Sequence, residues 1–260
     1  LDAMSNYSPV ERVRPDGDPS LILICDHASN ATPPDMPALG LSEADMARHI
    51  AWDIGARGVT LALSDIFEAP AILSTFSRLV IDPNRGEDDP TLVMRLYDGS
   101  VIPGNRDAGP EERARRLDRY HRPYHAAVDA AIDRALAEGV EPRLISVHSF
   151  TRQLRGRAPR PWHVGVLWDR DDRIARPLIE RLRAEDELVV GDNEPYSGQL
   201  PGDGMWRHGT RRGLPHVLIE IRNDLIADPA GQAAWAELLA RCLADALDID
   251  PAGQDIGVRR

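Results

Sequence analysis

The sequence predicts an α/β fold in which a mostly parallel central sheet is flanked by helices, within a single domain spanning residues 1–260. Short apolar runs of strand character alternate with helical stretches, the order that builds a parallel sheet through crossovers. Three of the runs carry histidine or glutamate at or near their ends, and no Pro/Gly/Ser-rich linker divides the 260 residues. A chain of this length can bury a sizeable core. The Leu-Asp-Ala before Met4 reads as an appended remnant and is set aside.

The first strand is Leu21–Cys25, LILIC, which stops abruptly at Asp26 and His27. Ser42 then caps a helix in which Met46, Ile50, Ile54 and Leu61 recur at helical spacing. Extended segments follow at 71–75 and 78–82, the second running into DPNRG. A long helix is expected from Pro110 to Ala137, interrupted at Pro123 and closed by Gly139. RLISVHSF, 143–150, is a second apolar strand, this one carrying His148. A strand at His163–Trp168, a helix over 171–185 and a short strand at 188–190 come next. The glycine- and proline-rich segment 191–213 reads as a long loop, the kind that is usually functional or disordered. HVLIEIR is the last strand, and Asp228 with Pro229 opens the closing helix.

Composition removes several classes of function. The net charge of −11 argues against a nucleic-acid partner, which needs a basic face. The local exception is RQLRGRAPR, 152–160, with four arginines: a solvated loop, or an anion-facing flap if a site lies beside it. Every basic residue is arginine, so lysine Schiff-base chemistry and a phosphate-binding P-loop are both excluded. Cys25 and Cys242 read as buried hydrophobes of a reducing compartment. No apolar stretch is long enough to span a membrane and no signal-peptide pattern opens the chain, so a cytoplasmic protein with no membrane partner is expected.

Parallel strands bring their C-terminal ends to one edge of a sheet, where ligand sites gather. His27, His148 and Glu220 all belong to such strands. Two imidazoles and a carboxylate leave one position open on zinc, the arrangement of catalytic sites, and such an ion supplies a nucleophile at neutral pH without Ser or Cys. Asp53, close to the apolar stripe of the first helix, needs a partner if buried: a metal, an arginine or His49 one turn earlier. Asp26 and Asp82 are the other candidate carboxylates. In IDPNRG, Arg85 offers a planar fork for a substrate carboxylate and Asn84 a neutral donor. HRPYH, 121–125, has histidines four apart but lacks the glutamate of the helical zinc motif and contains a proline, so a supporting role ranks above ligation. GDNEPYSG reads either as an ordinary turn or as a loop closing over a ligand, with Tyr196 facing the substrate.

Taken in order, CDHASN, RLVIDPNRG, HRPYH, SVHSF, RPWHVGVLWD, DNEPYSG and HVLIEIRNDLI resemble the N-formylglutamate amidohydrolase family over roughly residues 20–245. The resemblance implies a zinc-exopeptidase-like fold and hydrolysis of a small anionic N-acyl amino acid. In that family N-formyl-L-glutamate gives formate and glutamate, a late step of histidine breakdown. It carries over His27 and His148 as metal ligands and Arg85 as the carboxylate binder. Glu220 would be the general base and acid, and Arg222, two residues on, would stabilise the oxyanion or bind a second carboxylate. The chain departs from aspartoacylase-like relatives at the third residue after the first histidine, Asn30 here in place of glutamate, and Asp53 is the substitute ligand. A deacylase for another N-acyl or N-carbamoyl amino acid, and a metal-free binding module on the same fold, are the competing readings.

Overall fold

A computed structural model describes residues 7–36 and 39–249. Its sheet strands are β1 (Val10–Val13), β2 (Leu21–Cys25), β3 (Ala71–Ser74), β6 (Arg143–Phe150), β7 (Val164–Leu167), β8 (Val190–Asp192) and β9 (His216–Arg222). They form one seven-stranded sheet in the order β1-β3-β2-β6-β9-β7-β8. The four central strands β3, β2, β6 and β9 run parallel, while β1 is antiparallel to β3 and β7 antiparallel to β9. A small hairpin, β4 (Leu96–Tyr97) and β5 (Ser100–Val101), stands apart from the sheet.

The central strands are buried along almost their whole length because both faces are covered, as parallel sheets require. One face packs on α2 (Ala56–Phe67), α5 (Ala175–Arg183) and α7 (Pro229–Leu247), through Val59, Leu63, Leu178, Leu182, Leu239 and Leu243. The other face packs on α4 (Arg122–Ala137), which buries Tyr124, Val128 and Ile132 against Ile22, Ile24 and Leu144. Asp228 caps α7 by accepting from the Gly231 N–H, with Pro229 at the first position, as expected. Cys25 and Cys242 are both buried free thiols.

Three expectations are corrected. The helix opened by Ser42 is only α1 (Glu43–Met46); the chain then leaves helical geometry and restarts at α2. Gly55, in a left-handed conformation at φ +81°, makes the second entry, and a Cβ there would lie 2.0 Å from the Ile226 carbonyl oxygen. Asp53 therefore sits in a turn, and His49 pairs with Asp98 at 3.3 Å instead of with Asp53. Residues 78–82 are turn, not strand, although Leu79, Val80 and Ile81 are fully buried. They fill a separate apolar cluster with Phe76, Leu92, Ile102 and Tyr120, so burial without a strand partner explains the strand-like composition. The expected loop 191–213 contains the last residues of β8 and a short helix, α6 (Gly204–His208), capped by Asp203.

The helix expected over 110–137 is present but not uniform. It comprises α3 (Pro110–Arg116), a π-helical turn (Leu117–His121) and α4, with Pro123 in the first turn of α4 where its missing N–H costs least.

Candidate active site

The carboxyl ends of β2, β6 and β9 open into a cavity of about 310 Å³. His27 lies two residues past β2, while His148 and Glu220 are direct partners across the β6–β9 ladder. Asp53 is delivered from the turn before α2, where its backbone N–H donates to the His27 carbonyl at 3.0 Å. His27, Asp53 and His148 are all buried, and their ligating atoms lie within 4.8 Å of one another.

The orientation of the imidazoles is set from behind. His27 Nε2 is 2.7 Å from Asp82 Oδ1 and His148 Nε2 is 3.0 Å from Asp26 Oδ2. Both Nδ1 atoms therefore face Asp53 Oδ2, at 3.2 Å from His27 and 2.8 Å from His148. A carboxylate on the far nitrogen of a ligating histidine fixes its tautomer and raises its basicity, the usual support around a protein-bound metal. Asp82 is held in turn by Arg78, whose Nη2 lies 2.7 Å from Oδ2. Asp26 accepts from the Tyr124 hydroxyl at 2.8 Å.

Charge points the same way. Burial disfavours the ionised forms of Asp26, Asp53 and Asp82, yet the imidazoles, and Arg78 beside Asp82, hold all three below the usual carboxylate range. With both imidazoles neutral, as ligation requires, three carboxylates against the single guanidinium of Arg78 leave two negative charges in a buried cluster. Burial also works against a charged His148, but its bonds to Asp26 and Asp53 raise it well above an ordinary histidine. The donor set of two imidazole nitrogens and a carboxylate oxygen, with two negative charges to balance, fits a divalent ion such as zinc.

Glu220 differs from these aspartates. Burial pushes its carboxyl up to about 7, and its Oε2 has no hydrogen-bond partner among the described residues. A buried carboxyl poised near neutrality in a cleft is suited to taking up and returning a proton.

The remaining expected residues divide. Asn84 and Arg85 line the cavity on the turn after Asp82. Asn84 Oδ1 accepts from the Gly204 N–H at 3.0 Å, which ties this turn to α6. Arg85 Nη1 donates to the Asn84 carbonyl and Nε to Thr91, with no carboxylate within ion-pair distance among the described residues. Tyr196 lines the cavity mouth, its hydroxyl accepting from Arg160 at 3.0 Å. Arg222 shares a strand face with Glu220, but its side chain bonds Asp224 at 2.7 Å and it does not line the cavity. Asn30 donates to the Met46 carbonyl, a structural use.

Sequence reasoning missed Arg78 and treated Asp26 and Asp82 only as possible ligands. The Arg78–Asp82 pair is spaced i, i+4, a signal hidden by reading the segment as strand. It also left HRPYH without a specific task. His121 Nε2 lies 3.0 Å from the Arg85 carbonyl, Tyr124 holds Asp26, and His125 joins His208 at 2.8 Å and through it Asp129 at 3.0 Å. The motif thus braces the site from α4.

Comparison with known proteins bears on this arrangement. The family model described as N-formylglutamate amidohydrolase matches residues 19–227. The chain belongs to the N-formylglutamate amidohydrolase family. That span includes His27, Asp53, Asn84, Arg85, His148, Tyr196 and Glu220. An N-formylglutamate deformylase of Pseudomonas putida is 24% identical over 190 residues, covering 66% of this chain and 70% of that protein. A solved gene product of Agrobacterium tumefaciens is similar with a TM-score of 0.89 and 34% identity, over 93% of this chain and 96% of its own. The fold is also that of an N-formylglutamate amidohydrolase from Ralstonia eutropha, with a TM-score of 0.67 and 22% identity over 94% of this chain and 98% of the other. Membership makes the chain a hydrolase acting on a non-peptide amide bond. Among the described residues no helix is long and apolar enough to cross a membrane.

Proposed function

We propose that this hydrolase is metal-dependent and that its substrate is N-formyl-L-glutamate, cleaved to formate and L-glutamate. The observation that carries the reading is the buried His27–Asp53–His148 triad beside a Glu220 carboxyl raised to about 7, in one small cavity that Arg85 also lines. His27, His148 and Asp53 would hold the ion, zinc by its donor set, and a bound zinc supplies Lewis acidity that polarises a carbonyl and acidifies water.

The protein's own groups account for the rest. Glu220 takes a proton from the attacking water and returns it to the departing amine nitrogen, so that one carboxyl serves both steps. Arg85, assisted by the Asn84 amide, receives a substrate carboxylate and fixes the acyl group relative to Glu220. Tyr196 closes the opposite wall. Asp26 and Asp82 hold the imidazoles, and Arg78, which lines the cavity, holds Asp82 and keeps the cluster's charge fixed.

The test is elemental analysis of chelator-free protein together with product assays on a panel of N-acyl amino acids, for wild type and His148→Ala. The expected result is about one zinc per chain and formate release from N-formyl-L-glutamate in the wild type, both lost in the variant. An active, metal-free wild type would overturn the metal dependence. Preference for another acyl group would overturn the substrate.

A further inference from the structure

Arg160 does not itself line the cavity but packs on three residues that do, and amide hydrolysis leaves it unused. It ends the arginine-rich stretch 152–160, and its backbone N–H donates to the Arg152 carbonyl at 2.8 Å, closing that stretch into a loop. Its guanidinium carbon sits 4.9 Å from the Tyr196 ring centroid and 5.7 Å from that of Phe150. Nη1 donates to the Thr151 carbonyl at 3.2 Å and to the Tyr196 hydroxyl at 3.0 Å. Phe150, Thr151 and Tyr196 all line the cavity.

An arginine on a solvated loop usually reaches into water or finds a carboxylate. This one is folded back on two aromatic rings of the cavity wall, and no carboxylate of the described residues lies within ion-pair distance of it. Arg78, the buried guanidinium of the site, is by contrast already neutralised by Asp82 and Asp53. Arg85, which lines the cavity, and Arg160, which packs on three of its lining residues, are thus arginines without a carboxylate in ion-pair distance among the described residues. Only Nη1 of Arg160 is engaged in the protein, which leaves Nε and Nη2, the edge that grips a carboxylate side-on. Stacking on an aromatic ring holds that edge in place before any ligand arrives. The Tyr196 hydroxyl accepts from Arg160, so its own proton can be donated to a further acceptor.

We propose that Arg160 and the Tyr196 hydroxyl form a second carboxylate-binding position at the cavity mouth, which together with Arg85 selects N-acyl amino acids that carry two carboxylates. The position explains why an acidic protein keeps an unpaired arginine against its cavity wall. It rests on the reading of this cavity as the substrate site.

The test compares N-formyl-L-glutamate with N-formyl-L-glutamine, which differs by one charge at nearly constant shape, using zinc-supplemented wild type, Arg160→Gln and Tyr196→Phe. Arg160→Gln is expected to raise KM for the dicarboxylate about ten-fold or more, the cost of a lost charge-assisted pair. It should leave kcat for that substrate and both constants for the amide nearly unchanged. Tyr196→Phe, which keeps the stacking ring, should shift KM in the same direction by less. Equal losses on both substrates, or no change on either, would overturn the proposal. Should the wild type not cleave N-formyl-L-glutamate, the function assignment fails and calorimetric binding of glutarate against glutaramate decides the position separately. A wild-type preference for glutarate that Arg160→Gln abolishes would support it, and no such preference would overturn it.

Discussion

Replacing Asp26 by asparagine keeps the shape of the side chain and removes one charge behind His148. In the wild type, Asp26 Oδ2 lies 3.0 Å from His148 Nε2 and 3.3 Å from the Ser146 hydroxyl, while Oδ1 accepts from Tyr124. Asparagine still offers one oxygen to the imidazole, so the ring stays in place; what is lost is the charge assistance to that bond. Loss of such a supporting carboxylate typically weakens metal binding by about 10- to 100-fold, or roughly 1.4–2.7 kcal/mol. The upper end is expected here, because Asp26 is only 1% exposed and supplies one of the charges that a divalent ion balances. Competition with a chromophoric chelator at fixed pH measures the change, and urea denaturation of the metal-free protein checks that the fold survives. Unchanged zinc affinity would refute the role given to Asp26. Complete loss of binding would instead make Asp26 a ligand and displace Asp53 from that place.

Two further outcomes follow from the carboxyls that burial raises. Glu220→Gln should retain zinc while kcat falls by about 10²- to 10⁴-fold, and near-normal turnover would remove Glu220 from proton transfer. Asp203, which caps α6 at the cavity, is pushed up to about 7 by burial from an ordinary value of 3.8. Its folded pKa is above its unfolded one, so the stability it contributes is full below the unfolded value and is lost as pH rises to about 7. Linkage sets that loss at no more than about 4 kcal/mol. Asp203→Asn should flatten this part of the urea-stability profile between pH 4 and 8, and an unaltered slope would assign the pH dependence elsewhere.

The chemistry of the site was legible where it is written into strands. LILIC and RLISVHSF announce themselves by composition, and parallel pairing then brings His27 and His148 to one edge. The motif order over the chain carries the family. The sequence pattern puts Asp53 on a helix face, whereas it reaches the imidazoles from a turn whose shape depends on Gly55 and on a contact with Ile226 more than 170 residues away. No local pattern encodes such a contact. Arg78 and Asp82 were obscured because a buried turn and a buried strand share the same apolar composition. Arg222 shows the converse limit: alternation along β9 gives the correct face, but one further step along the strand, about 7 Å, carries the side chain out of the cavity to Asp224.

The pairing of His148 with Glu220 across the β6–β9 ladder separates two things that enzymes often change together. The two residues share one rung at the sheet's centre, so the spacing of their backbones is fixed by the distance between paired strands and not by any loop. Other parts of the cavity wall, by contrast, are drawn from the turn holding Asn84 and Arg85, from the segment beginning at Thr151, and from the stretch between Tyr196 and Asp203. Loop exchange among homologues, natural or engineered, can therefore reshape the cavity while leaving His148 and Glu220 in register.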